Sequence, residues 1–334
     1  MSNTILEVNN LKTYFFTRNG VVKAVDGISF DLKKGESLCL VGESGCGKTA
    51  TALSILRLID SPPGKIIGGE IQYHGEDLLR SSDSRLREIR GNRIAMIFQD
   101  PQSSLNPVFT VGDQIAEQVK FHLKLSHKSA LERALNLMEQ VGIPQARERM
   151  KDYPHQFSGG MKQRAMIAAA LSCDPEILIA DEPTTALDTT IKAQILDIFR
   201  DLKQEKNMSI LFITHDLGTV AGIADRIVVM YGGRIAEAGT VFDIFDHPKH
   251  PYTQGLIDCL PTISAQRDRL TPIPGTIPSL VDPPQGCIFS PRCTRRMPIC
   301  TEEQPKDVVI SEEHLVACYL YPQLSASRKE ASQE

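Results

Sequence analysis

At 334 residues, 41% of them hydrophobic and 23% charged, the chain has the balance of a soluble globular protein with one large domain and an appendage, and nothing in it reads as disordered. A formal net charge of −4 gives no long-range attraction to phosphate backbones, so no nucleic-acid partner is expected. The longest apolar runs, such as Ala165 to Leu171, fall far short of the roughly 18–20 residues that span a bilayer, and Met1 to Asn10 lacks the basic and apolar regions of a signal peptide, so the chain is expected in the cytosol, reaching any membrane through partners.

In chain order, Leu6 to Val8, Val21 to Val25 and Ile28 to Leu32 are β-rich runs broken by Asn-Gly and Asp-Gly, a hairpin-like pattern. Ser37 to Val41 is a compact apolar run. A Gly-rich loop follows, then Ala52, Leu53, Leu56 and Ile59 recur at helical spacing, which predicts strand, loop, helix. Between Val111 and Val141 the period is helical throughout, with Leu131, Ala134, Leu135, Met138 and Val141 on one face, so a helical subdomain is expected over about 100–170. Strand-like runs return at Ile177 to Ala180, Ile210 to Ile213 and Arg226 to Met230, the first two separated by a helix-patterned stretch through Ala193 and Phe199. This alternation predicts an α/β fold with a mostly parallel sheet. After Gly239 prolines become dense, which places a boundary within Phe242 to Pro261 and divides the chain into 1–241, an extension over 242–322 and a frayed tail over 323–334.

Gly42-Glu43-Ser44-Gly45-Cys46-Gly47-Lys48-Thr49 fits the phosphate-binding loop pattern, and it lies where that pattern has mechanical meaning, between a strand and a helix. Backbone N–H groups of the loop, through Ala50 in the first helical turn, can cradle phosphates. Lys48 would reach the β- and γ-phosphates and the Thr49 hydroxyl would ligate Mg²⁺. Asp181 and Glu182 stand at the carboxyl end of the run Ile177 to Ala180, where open α/β sheets bind ligands. Asp181 suits Mg²⁺, commonly through water, and Glu182 suits a general base for the attacking water.

Those two motifs define a P-loop NTPase. A third, Phe157-Ser158-Gly159-Gly160-Met161-Lys162-Gln163-Arg164, resembles the ABC signature Leu-Ser-Gly-Gly-Gln. With it, the chain from about Leu6 to Gly239 resembles an ABC-transporter nucleotide-binding domain, which implies an antiparallel β subdomain and an inserted helical subdomain beside the core sheet. The resemblance carries over several roles. Phe15, or its neighbour Tyr14, would stack on adenine, and Gln99 would sense Mg²⁺ and touch the transmembrane partner. Ala186-Leu187-Asp188 would contact the dimer mate, and His215 would be the switch histidine. The family works as a nucleotide-sandwich dimer, in which Ser158, Gly159 and Gly160 of one subunit meet the ATP of the other. Phe157, Met161 and Thr185 depart from the commonest family residues without removing a phosphate-contacting group.

Asp100-Pro101, Ser104-Leu105-Asn106-Pro107, the signature itself, and His250-Pro251-Tyr252-Thr253 together resemble the oligopeptide, dipeptide and nickel importer subfamily, over nearly the full length. That resemblance implies a second, related ATPase subunit, two membrane permeases, an extracellular solute-binding protein and a place on the cytoplasmic membrane face. It points to peptides as cargo, with nickel or another solute as the alternative, and ranks a non-transport ABC ATPase or a redox sensor behind both. Of eight cysteines, Cys287, Cys293, Cys300 and Cys318 crowd the extension as C-x5-C-x6-C-x17-C. The close knuckle usual for structural zinc is missing, so the spacing favours a [4Fe-4S] cluster on four thiolates, with zinc as the alternative. Resemblance to cluster-bearing peptide-importer ATPases points the same way.

Overall fold

The computed structural model describes residues 3–185, 187–260, 272–281 and 283–321. Ala186 of the dimer-contacting motif, Pro261 at the expected boundary and the tail over 323–334 lie outside the described residues.

The N-terminal runs form two long strands, β1 (Thr4–Thr17) and β2 (Gly20–Lys33), joined at Asn19-Gly20. The Asp26-Gly27 break that the sequence places here is a bulge instead. Leu11 pairs with Ile28 and Lys12 with Asp26, so Gly27 is the extra residue, at a φ of +84° that favours glycine. β3 (Ser37–Val41) runs into the Gly-rich loop and α1 (Lys48–Ile55). The helix stops short of the expected Ile59, because Arg57 takes a φ of +49° and turns the chain away. There follow β4 (Gly64–Tyr73), β5 (Glu76–Asp77), α2 (Asp83–Ile89) and β6 (Ile94–Ile97). The helical segment comprises α3 (Pro101–Ser104), α4 (Val111–Leu123), α5 (His127–Gln140), α6 (Ala146–Arg149) and α7 (Gly159–Ala170). Alternation resumes with β7 (Ile177–Asp181), α8 (Thr189–Lys206), β8 (Ser209–Thr214), α9 (Leu217–Val220), β9 (Arg226–Tyr231) and β10 (Arg234–Thr240). The extension carries α10 (Val241–Asp246), α11 (Pro251–Asp258), β11 (Val308–Ser311) and β12 (His314–Val316).

Among the described residues these strands make two sheets: a four-stranded antiparallel one in the order β2-β1-β4-β5, and an eight-stranded one in the order β11-β12-β10-β9-β3-β8-β7-β6. In the larger sheet β9, β3, β8, β7 and β6 run parallel. The expected mixed α/β architecture is thus present.

β3, β7 and β8 are buried along their whole length, as strands covered on both faces are. Their side chains alternate between two cores. Cys39, Leu178, Ala180, Ile210 and Phe212 face the core shared with the helical segment, where Ala134, Leu135, Met138 and Val141 pack as their spacing predicts. Leu38, Leu40, Ile177, Ile179, Leu211 and Ile213 face the core under the antiparallel sheet. Two strands escape a sequence reading: β11 and β12 are only four and three residues long, yet they pair antiparallel and continue the large sheet past β10. Segments this short carry no resolvable alternation.

Candidate functional site

The parallel strands bring their carboxyl ends to one edge, where the phosphate loop, Gln99, Asp181, Glu182 and His215 gather. Gly47 shows why the loop is Gly-rich. Its φ is +105°, and a Cβ there would stand 2.1 Å from the carbonyl oxygen of Ala24, so a side chain is excluded by both conformation and space. The loop folds around Lys48, which is only 4% exposed and donates to the carbonyl oxygens of Gly42 at 2.7 Å and Glu43 at 3.0 Å, with Cys46 Sγ at 3.7 Å. Ser44, Gly45 and Thr49 are exposed at the loop rim.

β7 lies next to β8, and β8 next to β3, so Asp181 reaches across to the loop: Thr49 Oγ1 donates to Asp181 Oδ1 at 3.2 Å. Burial raises the Asp181 carboxyl to about 6, aided by the negative charge of Glu182 and opposed by Thr49 and Lys48. Its Oδ2 is buried with no hydrogen-bond partner among the described residues. A hydroxyl and a half-satisfied carboxylate are hard oxygen donors, the set that Mg²⁺ takes, so these residues fit that ion. Below about pH 6 a proton would compete with the cation for Asp181.

Glu182 sits in the left-handed region at φ +47°, a strained position for a residue with a side chain. Three groups hold its carboxylate: Gln99 Nε2 at 3.1 Å and Thr185 Oγ1 at 2.9 Å on Oε2, and His215 Nδ1 at 3.1 Å from Oε1. Burial alone would raise this carboxyl, but the hydrogen bonds from His215 and Thr185, together with the charges of His215 and Lys48, outweigh it and leave the group below its ordinary value. An ionised carboxylate at neutral pH, held in one orientation, can accept a proton from water.

The remaining predicted residues fall outside this hydrogen-bonded set. Ser158 caps α7, accepting from Met161 N, and Ser158 and Gly159 are exposed. Asp188 likewise caps α8 and is exposed. Phe15 is half-buried on β1 against Gly64, while the hydroxyl of Tyr14 donates to Asp26 at 2.6 Å.

Cys287, Cys293, Cys300 and Cys318 line one small pocket together with His250. Burial raises the Cys287 thiol to about 11 and pushes those of Cys293 and Cys318 up as well. The thiols converge on one place, yet no group of three or more His, Cys, Asp or Glu side chains among the described residues is arranged to hold a metal ion. The donor chemistry suits a thiophilic metal, whereas the spacing drawn here is not that of a closed ligand set.

Sequence reasoning placed Thr185, Tyr252 and Arg292 only within family-like stretches and missed what they touch. Thr185 supports Glu182, and Tyr252 and Arg292 of the extension reach Glu43 inside the phosphate loop. Only the Thr185 contact had a local signal, its place three residues past the acid.

A strand, phosphate loop and helix facing an ordered acidic pair at the carboxyl edge of a parallel sheet define a P-loop NTPase. Residues 25–185 match the model of the ABC transporter family, and residues 236–300 match that of the oligopeptide/dipeptide transporter C-terminal region. The chain is similar to the dipeptide transport ATP-binding protein DppD of Bacillus subtilis (strain 168), 51% identical over 96% of this chain and 95% of that protein. It is also similar to the oligopeptide transport ATP-binding protein AppD of the same organism, 49% identical over 97% and 99%. Among solved structures, a dimeric ATP-binding cassette in a post-hydrolysis state bound to ADP and Pi matches with a TM-score of 0.64 at 25% identity, covering 71% of this chain and 98% of that one. The chain therefore belongs to the ATP-binding subunits of ABC transporters, in the branch that carries the oligopeptide/dipeptide transporter C-terminal region, and it is an ATPase. No helix among the described residues is long and apolar enough to cross a membrane.

Proposed function

We propose that this chain is the ATP-hydrolysing motor of an importer for di- and oligopeptides, acting at the cytoplasmic face of a membrane with a second, related ATPase subunit, two permeases and an extracellular solute-binding protein. The observation that carries this reading is the pairing, in one chain, of the Glu182 constellation with a peptide-transporter C-terminal region. Cells lacking the chain should lose uptake of labelled di- and oligopeptides and regain it with the native sequence. Unchanged peptide uptake with lost nickel uptake would replace the peptide reading by its alternative.

In this reading the amides of residues 42–50 cradle the phosphates, Lys48 neutralises the β- and γ-phosphoryl oxygens, and Phe15 stacks on adenine. Thr49, Asp181 and Gln99 would hold Mg²⁺, which when bound shields charge on the β- and γ-oxygens. Glu182 takes a proton from the attacking water, while His215 keeps its carboxylate aimed. Ser158, Gly159, Gly160 and Asp188 of this chain would close the nucleotide site of the partner ATPase, whose own signature turn would close this one, a role that the exposure of Ser158, Gly159 and Asp188 at helix N-termini supports. For coupling to a permease helix, a groove of about 300 Å³ is lined by Leu58, Met96, Leu105, Met166, Ala169 and Phe98, the residue before Gln99. The exposed Val108 and Phe109 follow close after it in the chain.

The four tail cysteines are assigned to a [4Fe-4S] cluster, with zinc as the alternative, on the strength of their shared pocket and soft donor set. Cys287, Cys293 and Cys318 must each give up a proton on binding, so loading should favour higher pH. Anaerobically purified protein should contain iron and acid-labile sulfide, both lost in Cys293→Ser. Stoichiometric zinc without sulfide would overturn the cluster in favour of zinc.

A further inference from the structure

The C-terminal extension contacts the phosphate loop directly. Arg292 lies 249 residues from Glu43, yet its guanidinium grips that carboxylate with both amino groups, Nη1 to Oε2 at 2.6 Å and Nη2 to Oε1 at 3.1 Å. The arginine side chain is 4% exposed and cannot be a solvated surface partner. It is itself held on every side: Nε donates to Pro274 O at 2.9 Å, Nη2 to Ile273 O at 3.4 Å, Nη1 to Tyr231 Oη at 3.3 Å, and the guanidinium carbon stands 5.7 Å from the Tyr231 ring centre. Tyr252, also from the extension and fully buried, accepts from the backbone N–H of Glu43 at 3.0 Å. Phe289 packs against both tyrosines, so the platform under the arginine is a rigid aromatic one.

Glu43 is a demanding residue at this place. Its carbonyl oxygen accepts from Lys48, and its carboxylate puts a negative charge in the loop that must receive a triphosphate. Left alone, that charge would repel the ligand and be free to draw the Lys48 ammonium off its path.

We propose that Arg292 is a positioning residue for nucleotide binding, by which the C-terminal extension neutralises Glu43 and clamps the phosphate loop in its receptive form. A planar, bidentate pair, with the guanidinium buried and the Glu43 carboxylate partly open to solvent, is what arginine forms and lysine does not. The extension is then a working part of the ATP site. The inference stands on the ATPase assignment and is independent of the transported solute and of any metal on the cysteines.

The test is a double-mutant cycle on the full chain, with MgATP affinity read by calorimetry and melting temperature followed alongside. Arg292→Ala loses the clamp and leaves a bare carboxylate, so Kd should rise roughly 10–30-fold, and Arg292→Lys should recover only part of this. Glu43→Gln loses the clamp without leaving a charge, and Kd should rise about 3-fold. The double variant R292A/E43Q should match E43Q at about 3-fold, because the repelling group is gone, whereas a merely structural arginine would give the product of the two single effects. Should R292A fail to fold, E43Q carries the test, since it keeps the arginine's bonds to Pro274 and Ile273. An unchanged Kd in E43Q, an R292A value within about 2-fold of native, or a multiplicative double variant would each overturn the proposal.

Discussion

Glu182→Gln should bind ATP at least as tightly as the native chain and turn it over about 10²–10⁴ times more slowly, the range for loss of a positioned general base. By the usual conversion that is a barrier raised by roughly 3–5 kcal/mol. Shape and charge act together here. Glutamine keeps the outline of the side chain and one oxygen that can accept from Gln99 and Thr185 at the present Oε2 position, so the strained turn at φ +47° need not rearrange. What it loses is the proton acceptor. The native carboxyl, held below its ordinary value once the bonds from His215 and Thr185 outweigh burial, is ionised at neutral pH, and an amide at the same place is not basic. Removing a negative charge near the γ-phosphoryl site also relieves repulsion in the ground state, which is why affinity should not fall. ATP-loaded dimers should therefore accumulate, visible by size exclusion with MgATP. A variant that hydrolysed ATP within about 3-fold of the native rate would end the general-base assignment.

Lys48→Ala is the second large effect, and it acts on binding. The ammonium is buried, and the loop presents it with only two carbonyl oxygens and a sulfur, so it is a desolvated cation poised to exchange these for phosphate oxygens. Charge-assisted hydrogen bonds are each worth about 1.5–3 kcal/mol, and two of them to phosphates amount to a loss of roughly 10²–10⁴ in affinity. Filter binding or calorimetry with MgATP should show no saturation at concentrations that fill the native site. The carbonyl oxygens of Gly42 and Glu43 would also lose a donor, so a modest drop in melting temperature should accompany the loss. Affinity within tenfold of native would mean that the lysine does not reach the phosphates.

Much of this site was legible because its parts are contiguous in the chain. The phosphate loop, the signature turn and the acidic pair each depend on backbone N–H groups, a helix start or a strand end within a few residues, and such local geometry is written in spacing. The antiparallel hairpin was legible as well, except at Gly27, where a glycine inside a strand reads equally as a break or a bulge.

What the sequence by itself determined is the class of fold, the position of a phosphate-loop pattern and of an acidic pair, and the membership of a family. Tertiary structure alone decided who touches whom. The strand order β3-β8-β7-β6 carries Asp181 to Thr49 across 132 residues and sets Gln99, Thr185 and His215 around one carboxylate. It also lets the short strands β11 and β12 finish the sheet and brings Arg292 onto Glu43. The reason is physical: periodicity and turn chemistry report the local environment of each residue, whereas a long-range pair is chosen by how the sheet orders its strands and by which charges must neutralise one another once water is gone.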